Sequence, residues 1–269
     1  MQPHLLRSKN SLISSLPVHE YAILAPHFEL VTLRPGQVLH LAGQPLRHLY
    51  FPVDAVTSEM LLMPDGKTTE LAMIGPEGVV GFEHAMDSSR SSYRVEVIGG
   101  GFAFRIGSMT LREKAKELPE VVSALRLFAH ALLTYIAQTA ACNRAHSVDE
   151  QVCRWLLHAA DRFRSAAIPV TQQKIADALG VRREGVSGSI AKLRDEGLVE
   201  SGRGTVLLLD RDGIEARACE CYRVVQREYD RLFKPAQTTR VDSAQQRYCD
   251  PDREDRRWSA QRREPVLVP

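Results

Sequence analysis

The chain has 269 residues, room for one or two domains, and its 35 Lys and Arg against 33 Asp and Glu leave a net charge of only +2. No global charge excess points to a nucleic-acid or membrane partner, so any basic site must be local. Apolar residues make up 44% of the chain, enough for a core in each of two domains, yet no window reaches the 18 or so uninterrupted apolar residues of a membrane span. The opening MQPHLLRSKN has no charged-then-apolar leader, and a cytoplasmic protein is expected. The five cysteines (142, 153, 219, 221 and 249) are odd in number and show no paired metal spacing. Cys219 and Cys221 fall in a helical pattern, where residues two apart point to nearly opposite sides, so neither a metal nor a disulfide framework is expected.

Leu12, Ile13, Leu16, Tyr21, Ile23 and Leu24 fit a small helical cap. From Phe28 to Ile106, turn signals recur every few residues: Arg34-Pro35-Gly36, Gly43-Gln44-Pro45, Pro64-Asp65-Gly66, Gly75-Pro76 and Gly99-Gly100-Gly101. Between them lie β-type runs at 28–33, 38–40, 48–51, 56–63, 68–74, 93–98 and 102–106. Many short strands with Gly/Pro turns predict a jelly roll. Ser108 can cap a short helix to Glu117, and Pro119 can stand in the first turn of the next. There Val122, Leu125, Ala129, Leu132, Ile136, Thr139 and Asn143 alternate steps of three and four, an a/d stripe expected to pair two chains.

Val148, Val152, Trp155, Leu156, Ala159 and Phe163 mark another helix, which Ser147 can cap. A helix from Thr171 to Leu179, a turn at Gly180, a helix from about Arg182 to Glu196 and a hairpin through Ser201-Gly202-Arg203-Gly204 follow the winged helix-turn-helix plan. Ile214, Ala218, Cys221, Tyr222, Val225, Tyr229 and Leu232 then predict one last amphipathic helix. From Lys234 on, eight basic and six acidic side chains among few apolar ones predict a disordered tail.

In the second helix of the motif, Val186, Ile190 and Leu193 form the inner stripe, which turns Glu184, Gly188 and Ala191 outward. That mostly small face can lie close to a major-groove floor. Arg182 and Arg183 sit at the helix N-terminus, where an Arg fork fits guanine O6 and N7 and Glu184 can accept from a cytosine amino group. Thr171, Gln172, Gln173, Ser187, Lys192 and wing residue Arg203 are placed for phosphates.

The segment reading ValThrGlnGlnLysIleAlaAspAlaLeuGlyValArgArgGluGlyValSer (170–187), with AlaLysLeuArgAspGluGlyLeuValGlu (191–200) after a β-roll and long helix, resembles the Crp/Fnr family of bacterial transcription regulators. The likeness spans about residues 12 to 210 and is most specific at Arg183-Glu184-x-Val186-Ser187. It implies a homodimer, a jelly-roll sensor, bases contacted by Arg183 and Glu184, and RNA polymerase as a further partner. Where the family often has a third base-reading Arg, this chain has Gly188. In cyclic-nucleotide-binding members a cassette supplies a Glu for the ribose and an Arg-Ser or Arg-Thr pair for the phosphate. Here Gly78-Val79-Val80-Gly81 resembles its start, with Val79 in place of the Glu, and Arg90-Ser91-Ser92 its end. Gly78, Gly81, Arg90 and Ser91 are therefore the candidate effector residues, and cyclic AMP is not expected as the effector. His84 is faintly similar to the haem-binding position of some relatives.

The competing reading is a cupin-type jelly-roll metalloenzyme fused to a helical domain. It needs clustered histidines, and the nine here contain no His-x-His pair; His40 and His48 could meet across a turn, with no third ligand evident. The expectation is an α+β, non-enzymatic regulator of double-stranded DNA. Its parts are a sensor at 12–118, a dimerisation helix at 119–145, a winged helix-turn-helix with its C-terminal helix at 146–233, and a tail at 234–269.

Overall fold

A computed structural model describes residues 7–64, 66, 68–83 and 90–233; His84 and the 234–269 tail lie outside the described residues. The turn signals separate β1 (Glu29–Leu33), β2 (Val38–His40), β3 (His48–Pro52), β4 (Val56–Leu62), β5 (Thr68–Ile74), β6 (Arg94–Gly99) and β7 (Gly101–Gly107). These pair antiparallel into two sheets, β1-β7-β3 and β2-β6-β4-β5. Alternation along each strand sends Leu33, Leu49, Phe51, Phe104 and Ile106 of one sheet, and Ala72, Ile74, Val95 and Val97 of the other, into one shared core.

Helices α1 (Ser11–Ser15) and α2 (Val18–Leu24) lie over this roll. Asn10 anchors the first: its Oδ1 caps Ile13 N–H, while Nδ2 donates to Pro52 and Gly78 carbonyls at 2.9 Å each. A short α3 (Ser108–Ala115) has Gly107, not Ser108, at its N-cap. The 27-residue α4 (Pro119–Ala145) then starts on Pro119, and its free Glu120 and Val121 amides donate to the buried Glu20 carboxylate at 3.1 and 2.9 Å.

The stripe expected to pair two chains is largely internal. Leu125, Ala129, Leu132 and Thr139 are buried inside this one chain, while Val122, Ile136 and Asn143 are half-buried. Their partners are the roll and the last helix, so this face serves the chain's own core. The face left open runs through Leu127, His130, Leu133, Ala137, Ala140, Ala141 and Arg144, again in steps of about three and four. By length and composition α4 could also cross a bilayer, but its buried side packs on strands of its own chain.

A second core begins at α5 (Val148–Phe163), which opens on a full capping box between Ser147 and Glu150, a device worth about 1 kcal/mol. It continues through α6 (Gln172–Leu179), α7 (Arg183–Asp195) and a wing in which β10 (Thr205–Leu208) lies between β8 (Ala167–Ile168) and β9 (Val199–Gly202). Val152, Leu156, Ile175, Val186, Ile190, Leu193, Val206 and Ile214 fill this core. Met73 joins it from β5, while its neighbours Ala72 and Ile74 face the roll.

The single last helix expected from Ile214 to Leu232 is instead two, α8 (Arg211–Arg217) and α9 (Cys221–Phe233). The apolar spacing runs unbroken through both, which hid the break. Across the break the burial changes over: Ile214 and Tyr222 enter the second core, whereas Val225 and Tyr229, further along α9, enter the first. The break frees Cys219 from the helix. Cys142, His146, Cys219 and Cys221 consequently bring all their ligand atoms within 4.8 Å of one another, contrary to the opposite-sides expectation for the two C-terminal cysteines.

Candidate nucleic-acid interface

The first helix of the motif is held by Thr171, whose hydroxyl accepts from Lys174 N–H at 3.2 Å. Gly180 ends it in the left-handed region (φ 68°), a conformation that costs a residue with a side chain about 1–2 kcal/mol. Val181 and Arg182 then lead into α7, whose buried Val186, Ile190 and Leu193 seat the helix as the sequence predicts. Arg182, Arg183 and Glu184 project from its first turn, exposed, with no side-chain hydrogen bond or ion pair to another described residue. A Cβ built on Gly188 meets nothing within 4 Å, so the middle of this face is open and smooth. Ala191 is half-buried and Arg203 stands exposed on the wing.

The residues expected at phosphates divide into two groups. Ser187 donates to Gln172 Oε1 at 2.7 Å, which joins α7 to α6, and Gln173 donates to Asp177 at 2.7 Å along α6 itself. Lys192 is tied back to Asp149 at 2.7 Å, and Ser189 donates to the same carboxylate. The lysine and serine bonds hold Asp149 below the usual carboxylate range. Lys192 therefore clamps α7 to the start of α5, and its charge is partly neutralised in place.

The candidate effector residues do not converge. Gly78 sits beneath the Phe128 ring of α4, where a Cβ would collide with that ring. Val79 and Val80 are fully buried, and Phe82 meets Phe128 edge-on with centroids 6.1 Å apart. Arg90 is exposed and donates to Gly43 O at 2.7 Å. Ser91 faces the other way, buried, donating to Tyr93 O at 2.8 Å and to Glu83 at 3.4 Å.

Near Ser91 lie two buried carboxyls that the motif reading did not mark, Glu83 and Glu59. Burial, then the Glu83 charge, pushes the Glu59 carboxyl well above its ordinary range, and burial also raises Glu83. Burial, then His48, lowers His40 to about 4. Both Glu59 oxygens, one Glu83 oxygen and His40 Nε2 are buried without a hydrogen-bond partner among the described residues. The signal available in the sequence was a glutamate in the middle of β4, flanked by Ser58 and Met60. His40 and His48 do approach, both flanking the Tyr50 ring with centroid separations of 5.9 and 6.2 Å. A cavity of about 250 Å³ lies elsewhere, between β4, β5 and β6 and the helices α5 and α6, lined by Glu70, Arg94, Trp155 and Lys174. None of the four candidate effector residues lines it.

Residues 150–217 match the model of the Crp-like helix-turn-helix domain, which runs from the first turn of α5 to the end of α8. Over these residues the chain carries a Crp-like helix-turn-helix domain, and its relatives are transcriptional regulators. It is 27% identical over 188 residues to the transcriptional regulator LdrP of Thermus thermophilus, covering 68% of this chain and 93% of LdrP. The nitrogen fixation regulation protein FixK of Bradyrhizobium diazoefficiens is 24% identical over 176 residues, covering 63% of this chain and 73% of FixK. A CRP-like cAMP-activated global transcriptional regulator of Mycobacterium tuberculosis is 24% identical over 204 residues, 73% of this chain and 91% of its own. The fold of the chain is similar to that of FixK2 from Bradyrhizobium japonicum (TM-score 0.63, 19% identity, 71% of this chain and 98% of that one). It is likewise similar to that of a CRP-family transcriptional regulator from Thermus thermophilus (TM-score 0.60, 24% identity, 70% and 96%). Relatives and fold are those of regulators rather than enzymes, and the metalloenzyme reading is not favoured.

Proposed function

We propose that this regulator binds double-stranded DNA as a homodimer, with α7 of each chain in successive major grooves. The observation that carries the reading is the first turn of α7: Arg182, Arg183 and Glu184 exposed and unpaired beside the open face at Gly188. Arg183 and Glu184 read base edges at the groove floor, while Arg182, Thr171 and Arg203 contact phosphates. The pairing face is the exposed stripe of α4 through Leu127, Leu133 and Ala137, where Leu127 and Leu133 are each 52% exposed. Two-fold symmetry then calls for a palindromic operator with half-sites about 34 Å apart. Contacts with RNA polymerase and a cytoplasmic location accompany this reading.

Cyclic AMP is not the effector on this reading. The buried surroundings of Ser91 hold the Glu83 and Glu59 carboxyls, and Arg90 is tied to Gly43 on the outside. An anion brought beside those carboxyls would meet repulsion, or neutral acids that offer it no charge. The division of the chain into a sensor at 12–118, a connecting helix at 119–145 and a DNA-binding part at 146–233 is functional on this reading. Physically the described part of the chain is one compact unit.

Selection from a randomised double-stranded library with the purified chain tests the reading. Recovery of a two-fold-symmetric sequence by a dimer supports it, and recovery of no sequence preference sinks it. In parallel, calorimetric titration with cyclic AMP is expected to show no binding in the micromolar range.

A further inference from the structure

The four side chains gathered at the break between α8 and α9 make a donor set of three thiols and one imidazole. Cys142 and His146 are four apart at the C-terminal end of α4, a spacing that puts both on one helix face. Cys219 and Cys221 come from the break itself. Cys142 Sγ lies 3.5 Å from Cys219 Sγ, and Cys221 Sγ lies 3.6 Å from His146 Nδ1. Tetrahedral bonds of about 2.3 Å to sulfur and about 2.0–2.1 Å to nitrogen would set donors roughly 3.6–3.8 Å apart. All four ligand atoms already lie within 4.8 Å of one another, and the three cysteines are buried.

The surroundings are arranged as a ligating histidine and thiolates require. The outer imidazole nitrogen, Nε2, faces the Glu220 carboxylate at 3.4 Å, which leaves Nδ1 turned toward Cys221. A carboxylate holding the far nitrogen is the usual partner of a metal-bound histidine. Gln138 Nε2 donates to Cys221 Sγ at 3.2 Å. A divalent ion with three thiolates carries one net negative charge, and the buried Arg154 supplies one positive charge nearby. Its Nη1 donates to Thr139, one turn before Cys142, and its Nε has no partner among the described residues.

We propose that Cys142, His146, Cys219 and Cys221 form a closed tetrahedral site for a thiophilic divalent cation of the zinc class. With four protein ligands and no open position, the ion is structural rather than catalytic. It fastens the start of α9 to the end of α4, just before Ser147 caps the first helix of the DNA-binding part. Binding exchanges the three thiol protons for the ion, with no change of oxidation state.

The test uses the full chain, purified under reductant, stripped with a chelator and titrated with Co²⁺ as a spectroscopic probe, then with Zn²⁺ in competition. Equimolar uptake with intense tetrahedral ligand-field bands and sulfur-to-cobalt charge-transfer bands, both bleached by Zn²⁺, is the expected result. Cys142→Ser and Cys221→Ser each lower the affinity at least about tenfold, whereas Cys153→Ser and Cys249→Ser leave it unchanged. Glu220→Gln, an exposed change outside the donor set, weakens binding by about 10–100-fold. The proposal is overturned if the parent gives only weak octahedral bands. It is equally overturned by a visible iron–sulfur spectrum on anaerobic purification, or by serine variants that bind as the parent does. Because the parent's own spectrum is diagnostic, a serine variant that fails to fold does not remove the test.

Discussion

Trp155 on α5 donates its indole N–H to Glu70 on β5 over 2.8 Å, and the second oxygen of that buried carboxylate accepts from Ser58 at 2.5 Å. The bond ties the first helix of the DNA-binding part to the outer sheet of the β-roll. Nearby, Arg162 donates to Met73 O at 2.7 Å and pairs with Glu77 at 3.1 Å. Phe163 approaches so closely that a Cβ on Gly99 would collide with its ring. The roll is therefore joined to the second core through β5 as well as along α4.

Trp155→Phe keeps an aromatic ring, though a smaller one, and leaves Glu70 Oε1 buried without the indole donor, at a cost of about 1–3 kcal/mol for the lost bond. Melting should fall by roughly 2–4 °C per kcal/mol for a chain of this size. The same variant should change DNA affinity, because the docked position of α5 is loosened. An unchanged melting temperature measured by circular dichroism would show that the hydrogen bond contributes nothing net.

The two stripes of α4 make opposite predictions for chemically similar substitutions. Leu132 is fully buried in its own chain, so Leu132→Asp should prevent folding, since an unpaired charge in that core cannot be compensated. Leu133→Asp, on the exposed face, should leave the circular dichroism spectrum intact and convert a dimer to a monomer in sedimentation. A Leu133→Asp chain as dimeric as its parent would place the pairing face elsewhere.

That pair of residues also marks what the sequence could and could not convey. Strand positions were legible because Gly and Pro turns bound each run, and Val38–His40 and Thr68–Ile74 fall where expected. The α6–turn–α7 unit was legible because Thr171, Gly180 and the 186/190/193 stripe each act locally. The α4 stripe was expected to meet a second chain and is mostly covered within this one, because periodicity shows that a face is apolar without showing what covers it. A 27-residue helix with apolar residues on two sides satisfies an a/d pattern on either. The break at Cys219 was invisible for the related reason that Ile214 and Val225 share one spacing while entering different cores. Side-chain bonds between distant residues, such as Lys192 to Asp149, leave no trace in spacing at all.

Glu59 gives a prediction with a defined pH window. Its folded carboxyl is raised well above 4.5 by burial and then by Glu83, so above pH 4.5 the unfolded chain releases a proton that the folded chain keeps. Stability is therefore lost as pH rises from 4.5 through the raised value. Glu59→Gln removes that loss, and its advantage over the parent should be absent below pH 4.5 and grow to about 1–3 kcal/mol toward neutrality. His40 works in the opposite window: with its value lowered from 6.5 to about 4, stability falls as pH drops from 6.5 toward 4 in parent and variant alike. Urea unfolding of both proteins at a series of pH values separates the two, and a pH-independent difference would mean that Glu59 does not titrate in this range.

Base reading and anchoring are expected to separate along α7. Arg183→Ala removes an unpaired, exposed fork, so it should cost about 1–3 kcal/mol on the selected operator and relax preference at one base pair of each half-site. Arg203→Ala on the wing should weaken selected and random DNA alike and lower the salt slope by about one. Lys192→Ala should do less than a free phosphate contact would, because Nζ already pairs with Asp149, and part of its effect should appear as lost stability. Gly188→Arg supplies the decisive contrast: a side chain there meets open space, and replacing a mid-helix glycine favours the helix by about 0.5–1 kcal/mol, so folding is not at risk. The added fork should create a new guanine preference opposite the helix centre, where the parent is expected to discriminate poorly. Selection from one randomised half-site library, run on the parent and the four variants, reads all of these at once. If Gly188→Arg raised affinity for every sequence equally while Arg183→Ala lowered it equally, α7 would be gripping the backbone rather than lying in the groove with its first turn on the bases.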